Sequence, residues 1–414
     1  MVVVASPKRI CSLIPRLIIS SRCTASFLTH SDFAAMKIGA LLPRSTFHLL
    51  LQHDFLAGTE AYLQYRQTGA ELVSGQIKYG TDANVVMLEA ERLLLEQQVD
   101  ILLVYADQDS LKQIADLAKA LNKLVILVHN GAKYMHEWEP HPAVLSHTLN
   151  NTVHCRLTGE YAATKAASAA VCTSFYDGGY SHCHAMTQTY ADKGGSVAYN
   201  FISQYKVSEF NSAPLQEFLR SNADVQTLLA LFNGDLAHCF LQQLQHAGIS
   251  PLRIFGSPML LDETLPLTHG PLQLPFQLCG YVPWTPVIDS EANTLFKTQY
   301  LQHTGREANI PALHGWDTGI ILEHILRTAD THHFKARNIL EMMKEVTLDS
   351  PRGSLQMDTA THHMIGPSWL IQMNEQFEPQ IIGSIDNTLH TWQEIVNTKL
   401  QGASSGWINT YLCA

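Results

Sequence analysis

From Lys37 onward the chain alternates between two regular patterns of apolar and polar positions. LysIleGlyAlaLeuLeuPro at 37–43 is a short apolar run closed by a proline, the mark of a buried strand. Residues 53–66 then place Phe55, Leu56, Tyr62 and Leu63 at helical spacing. A strand near 70–79 precedes a helix over 81–96, which opens on a capping residue and is apolar at 85, 88, 93 and 95. A third strand over 99–105, a helix over 110–121 and a fourth strand over 124–129 follow. Strands and helices joined by short links predict a parallel, right-handed sheet.

The alternation then restarts. Strands are expected at 168–175, 196–203, 225–232 and 253–257, with helices at 181–193, near 213–221, and at 236–246. Two α/β units of similar size therefore stand in series. Beyond Gly280 come helices near 289–303, 312–329 and 335–345 and short strands at 353–358 and 367–373. These are too few for a third domain and are read as returning to complete the first two.

Composition narrows the picture. The chain has 414 residues, 46% hydrophobic and 15% charged, enough for two buried cores. A formal net charge of −10 with no basic block argues against nucleic acid as a partner. The eight cysteines are scattered singly without a CxxC pair, so neither a zinc ribbon nor a dithiol redox motif is encoded. Buried unpaired thiols suit a reducing compartment. Residues 1–35 hold Lys8, Arg9, Arg16 and Arg22 and a broken apolar run split by Pro15. They read either as a degenerate export signal or as an extension ahead of a start at Met36. No other apolar run approaches the ~20 residues of a membrane span.

The stretch PheTyrAspGlyGlyTyrSerHisCysHis at 175–184 suggests either a metal site or an organic ligand. On the helix expected from 182, positions two apart diverge by about 200°, so His182 and His184 cannot share an ion. The adjacent pairs His332-His333 and His362-His363 are equally poor ligands. No GxSxG, HExxH, phosphate-loop or GxGxxG pattern is present, so neither an enzyme nor a cofactor is implied.

In this order and spacing several segments resemble a known family. LysIleGlyAlaLeuLeuPro resembles its first strand, and ValAspIleLeuLeuVal with a Ser-led helix its third strand and ligand loop. TyrAspGlyGlyTyr (176–180) resembles the turn opening its second lobe. The 296–305 and 312–319 segments and the 349–363 hairpin resemble later motifs. The chain thus resembles, over 37 to about 375, the type I periplasmic binding proteins of the branched-chain amino acid and amide group, receptors of ABC transporters.

That resemblance implies two Rossmann-like α/β lobes joined by three crossovers, a small ligand held between them by hinge closure, and no chemistry. The corresponding division is 36–155 plus 285–345 for lobe I, 156–284 plus 346–382 for lobe II, and 383–414 as a C-terminal segment. The partner implied is an ABC permease and the location periplasmic. A cytoplasmic sensor on the same fold is the alternative, favoured by the unpaired cysteines.

Loops after the strands face the cleft and supply the candidates. In the first lobe these are Ser45, Asp107, Asp109, Ser110, His129 and Asn130. Ser110 suits either N-capping or a ligand carboxylate, whereas Asp107 and Asp109 favour an amine, a guanidinium or a hydroxyl-rich solute. In the second lobe Tyr176 and Tyr180 suit ring stacking, or packing under the hinge, and Asp177 a ligand or a helix cap. The resemblance makes Asp235 an acid for a ligand amine, and Trp284 is either a cleft wall or hinge packing.

Overall fold

The computed structural model describes residues 36–106, 108–133, 140–328, 335–398, 407 and 409–413, with the backbone alone at 108–110. The strands of the first half are β1 (Lys37–Leu42), β2 (Glu71–Gln76), β3 (Ile101–Val104), β4 (Leu124–His129) and β5 (Val144–Thr148). The next five are β6 (Ser168–Ser174), β7 (Ser196–Ser203), β8 (Thr227–Leu231), β9 (Arg253–Gly256) and β10 (Gln277–Val282). The last are β11 (Thr347–Ser350), β12 (Gly353–Asp358), β13 (His363–Ile365), β14 (Ser368–Met373) and β15 (Pro379–Ile385).

They form two sheets, ordered β11-β12-β13-β5-β4-β3-β1-β2 and β15-β14-β10-β9-β8-β6-β7. The middle of each sheet is parallel, as the alternation predicts, and each ends in antiparallel strands at one edge. Both faces of each parallel region are covered. In β3, Ile101 and Leu103 enter one apolar cluster while Leu102 and Val104 enter another on the opposite face. In β8, Leu228 and Ala230 face away from Leu229 and Leu231 in the same manner. Continuous apolar runs are what a strand buried on both sides requires.

Helices Leu51–Tyr65 and Ile310–Thr328 cross closely on lobe I. A Cβ at Gly315 would stand 1.9 Å from the Phe55 carbonyl oxygen, so glycine permits the approach. The chain moves to the second sheet after β5, returns after β10, and crosses again after β13, giving three connections between lobes.

The assignment of 346–382 to lobe II needs correction. Strands β11–β13 belong to the first sheet, where His363 of β13 pairs with Ser146 of β5. Of the late strands only β14 and β15 join the second sheet. The buried ion pair of Arg352 and Asp317 at 2.8 Å ties the β11–β12 hairpin to helix Ile310–Thr328. Strand β15 and helix Leu389–Thr398 continue lobe II, and Glu394 of that helix meets Arg156 at 2.8 Å.

Candidate ligand-binding site

The carboxyl ends of β1 and β4 meet those of β6, β8 and β9 across the seam between the lobes. After β1, the Ser45 hydroxyl accepts the backbone N–H groups of Phe47 (3.1 Å) and His48 (2.8 Å). This turn projects Phe47 onto Tyr176 of the other lobe, with ring centroids 4.7 Å apart. The His182 N–H donates to the Ala132 carbonyl after β4 at 2.9 Å. The lobes are therefore in direct contact at this seam.

The second jaw is the segment 174–182. The Asp177 carboxylate is fully buried and accepts from the Ser174 hydroxyl (2.5 Å), the Asn233 amide (2.7 Å) and the Tyr411 hydroxyl (2.5 Å). Burial raises its pKa, and the three hydrogen bonds only partly offset this, leaving about 6. Tyr176 and Tyr180 join their hydroxyls at 2.9 Å, and burial raises the Tyr176 pKa against the lowering effect of that bond. His182 stacks along Tyr180 with its ring planes 16° apart. Burial pushes His182 down to about 3, so it is neutral, and its two ring nitrogens are buried without a hydrogen-bond partner among the described residues. Asn233 leaves its carbonyl oxygen in the same state.

Residues 407 and 409–413 fill the seam. Trp407 donates its indole N–H to the Tyr176 carbonyl at 2.8 Å and lies over Gly179, where a Cβ would stand 1.7 Å from that nitrogen. The Leu412 N–H donates to the Tyr176 hydroxyl at 2.9 Å. Tyr411 and Leu412 share an apolar cluster with Ala132, Tyr176, Tyr180 and Met259, so both lobes contribute to their enclosure.

Of the sequence candidates, Tyr176, Asp177 and Tyr180 come together at the seam. Ser45 shapes the opposing turn from within. His129 accepts the Gly131 N–H at 2.9 Å, and Asn130 accepts the Tyr105 hydroxyl at 2.9 Å; both brace the β4 loop from inside. Burial, with His363, His314 and Lys133 adding to it, pushes His129 down to about 3. Asp107 lies outside the described residues. Asp109 and Ser110 begin helix Gln108–Ala120 at the carboxyl end of β3, with side chains also outside them.

Two candidates are corrected. Trp284 lies in the core of lobe I, its indole N–H donating to Asn293 at 2.8 Å and its ring edge-on to Phe296, so it is no cleft wall. Asp235 is exposed and its carboxylate turns back to the Leu236 N–H at 2.9 Å. Its neighbour Asn233, two positions earlier, is the side chain that reaches Asp177. The sequence reading also missed Trp407, Tyr411 and Leu412. Their signal is the aromatic and apolar ending TrpIleAsnThrTyrLeuCys (407–413), unlike an exposed tail.

One described cavity of about 630 Å³ opens on lobe II beside the 174–182 segment, lined by Ser174, Gly178, Gly179, Cys183, Thr187 and Trp407, and another of about 900 Å³ lies at the other end of the second sheet beside Lys165 and Arg253. Among the described residues no His, Cys, Asp and Glu group suited to a metal is found, and no helix is long and apolar enough to cross a membrane.

The architecture has clear relatives. A solute-binding protein of an ABC transporter from R. palustris in complex with benzoate aligns at 17% identity and a TM-score of 0.69, over 86% of this chain and 97% of that one. Another from R. palustris in complex with 4-hydroxybenzoate aligns at 14% and 0.66, over 86% and 97%. A branched-chain amino acid transporter substrate-binding protein from Streptococcus pneumoniae in complex with isoleucine aligns at 10% and 0.63, over 85% and 99%. At these identities the likeness establishes the fold. No curated protein matches the sequence. The family model described as periplasmic binding protein matches residues 35–378, which leaves Trp407–Cys413 outside the matched span. With that match over most of its length, the chain belongs to the periplasmic binding protein family.

Proposed function

We propose that this chain captures one small organic solute between its lobes by hinge closure and presents the closed form to an ABC permease. The observation that carries this is the seam itself. Rings from both lobes, Phe47 and Tyr176 above all, enclose a buried carboxylate and, with no hydrogen-bond partner among the described residues, an imidazole and an amide oxygen. Buried polar atoms without partners are costly, and a bound solute can satisfy them. Aromatic walls favour an aromatic solute, such as those held by the R. palustris relatives, over the aliphatic one held by the streptococcal relative.

A melting screen against aromatic acids, aromatic and aliphatic amino acids, amides and sugars tests this. A solute at about 100 times its dissociation constant adds about 2.7 kcal/mol and raises the midpoint. If nothing in the panel moves the midpoint, the solute-capture reading fails.

A cytoplasmic sensor on the same fold is supported by a separate observation. Cys155, Cys172 and Cys279 are buried free thiols, a condition more usual in reducing compartments. Sequencing the N-terminus of the native protein separates the two: removal of about the first 35 residues, with export, favours the permease role, and an intact cytoplasmic chain the sensor.

A further inference from the structure

We infer that Trp407–Cys413 is a built-in occupant of the cleft, and that the position of Tyr411 marks an aryl subsite for a phenol carrying a second polar group. The inference rests on the solute-capture reading and names its ligand class.

Tyr411 behaves as a bound phenol. Its ring is 2% exposed and packs edge-on to Tyr180 (4.8 Å between centroids, 70°) and to His182 (4.8 Å, 79°). On a third side it runs nearly parallel to Tyr176 at 5.9 Å. Its hydroxyl donates to Asp177, whose carboxylate already takes donors from Ser174 and Asn233. A carboxylate held so is an acceptor aimed at one donor, and it discriminates a hydroxylated ring from a bare one. Sites built to hydrogen-bond a hydroxyl reject the analogue lacking it far more strongly than sites that only enclose a ring.

The segment satisfies the subsite incompletely. His182, beside the Tyr411 ring, keeps both nitrogens unpartnered among the described residues, and so does the amide oxygen of Asn233, itself bonded to Asp177. A phenol with a further polar substituent, such as a second hydroxyl or a carboxylate, would supply partners that Tyr411 lacks. The segment is also held against its own backbone preference. Leu412 has φ +73°, the left-handed region that a branched residue seldom enters. A solute that takes the subsite therefore releases an occupant that is tethered but imperfectly fitted.

A tethered occupant competes with a free solute as an intramolecular ligand. The apparent affinity for a free solute falls by the fraction of molecules with the cleft open. Titration calorimetry of the full chain and of Tyr411→Ala with 4-hydroxybenzoate and with benzoate tests both parts. Removing the Tyr411 side chain should tighten 4-hydroxybenzoate by roughly tenfold or more. In that variant 4-hydroxybenzoate should bind at least tenfold tighter than benzoate, and Asp177→Asn added to it should erase the difference. Equal affinity of the full chain and Tyr411→Ala for 4-hydroxybenzoate overturns the built-in occupant while leaving solute capture intact. Equal affinity of Tyr411→Ala for the two acids overturns the phenol subsite. Binding of neither acid by either protein, with another solute of the panel raising the melting midpoint, overturns the inference alone; no response to any solute overturns the function beneath it.

Discussion

Tyr411 donates its phenolic hydroxyl to the buried carboxylate of Asp177 at 2.5 Å, across 234 residues of sequence. Asp177 is also the residue that fixes the turn between β6 and the following helix, because Ser174 bonds both its carboxylate and its backbone N–H (2.8 Å). One side chain therefore both shapes this turn and anchors Tyr411. Replacing it with Asn exchanges one acceptor oxygen for a donor that faces either the Ser174 hydroxyl or the Asn233 and Tyr411 donors. Asp177→Asn should lower stability by about 1–3 kcal/mol in urea unfolding. It should also free residues 407–413 for proteolysis in the native state. Unchanged stability and unchanged protection would show that the carboxylate is not the anchor of this segment.

Acidification should destabilise the protein well before its carboxylates titrate in bulk. Burial pushes His129, His154, His182 and His314 down to about 3 and His363 to about 4, against an ordinary value of 6.5. Below pH 6.5 the unfolded chain binds protons that the native chain refuses, so stability is full above that pH and falls toward 3–4. Asp177 has the opposite sign: its native carboxyl keeps a proton up to about 6 against 3.8, so its own contribution grows on acidification. Burial likewise raises Glu263 and Asp317, which share that sign, and three carboxyls cannot offset five imidazoles. Unfolding free energy between pH 6.5 and 4 should drop more steeply than the ~1.4 kcal/mol per pH unit of a single group. A flat profile over that window would contradict the buried neutral histidines.

Trp284 separates core from cleft. Trp284→Phe keeps an aromatic ring but leaves Asn293 without its indole donor. It should cost about 1–3 kcal/mol in denaturant unfolding and alter solute affinity less than twofold. A large change in affinity with unchanged stability would return Trp284 to the cleft.

The Arg352–Asp317 pair, both residues almost fully buried, anchors the late hairpin to lobe I. Arg352→Met strands the Asp317 carboxylate, which retains only the Ser350 hydroxyl at 2.6 Å, and should cost about 3–5 kcal/mol. Adding Asp317→Leu should recover most of that loss. A single variant as stable as the parent would show that the pair does not hold the hairpin.

Much of this was legible in the sequence, for a definite reason. Strands such as β3, β4 and β8 are buried on both faces, so they stand out as apolar runs, and their boundaries fall within about two residues of the expected ones. The pattern does not mark strand β5, ValLeuSerHisThr, because its polar side chains are buried by tertiary packing, as where the His147 ring lies 4.8 Å from that of His314. Strands β11 and β13 are only four and three residues long, and their sheet is decided by pairing over some two hundred residues, which no local pattern encodes. The turn TyrAspGlyGlyTyr announced one jaw. Its occupant could not be read, because nothing local to 407–413 states which distant pocket receives it.

Solute capture at this seam is the central claim, and one titration tests it most directly. Calorimetry of Tyr411→Ala with the solute that most raises its melting midpoint should give saturable binding at one solute per chain. Adding Tyr180→Ala should weaken that binding tenfold or more, since a wall of the aryl subsite is removed. Binding that ignores Tyr180→Ala, or no saturable binding of any solute, would contradict the account.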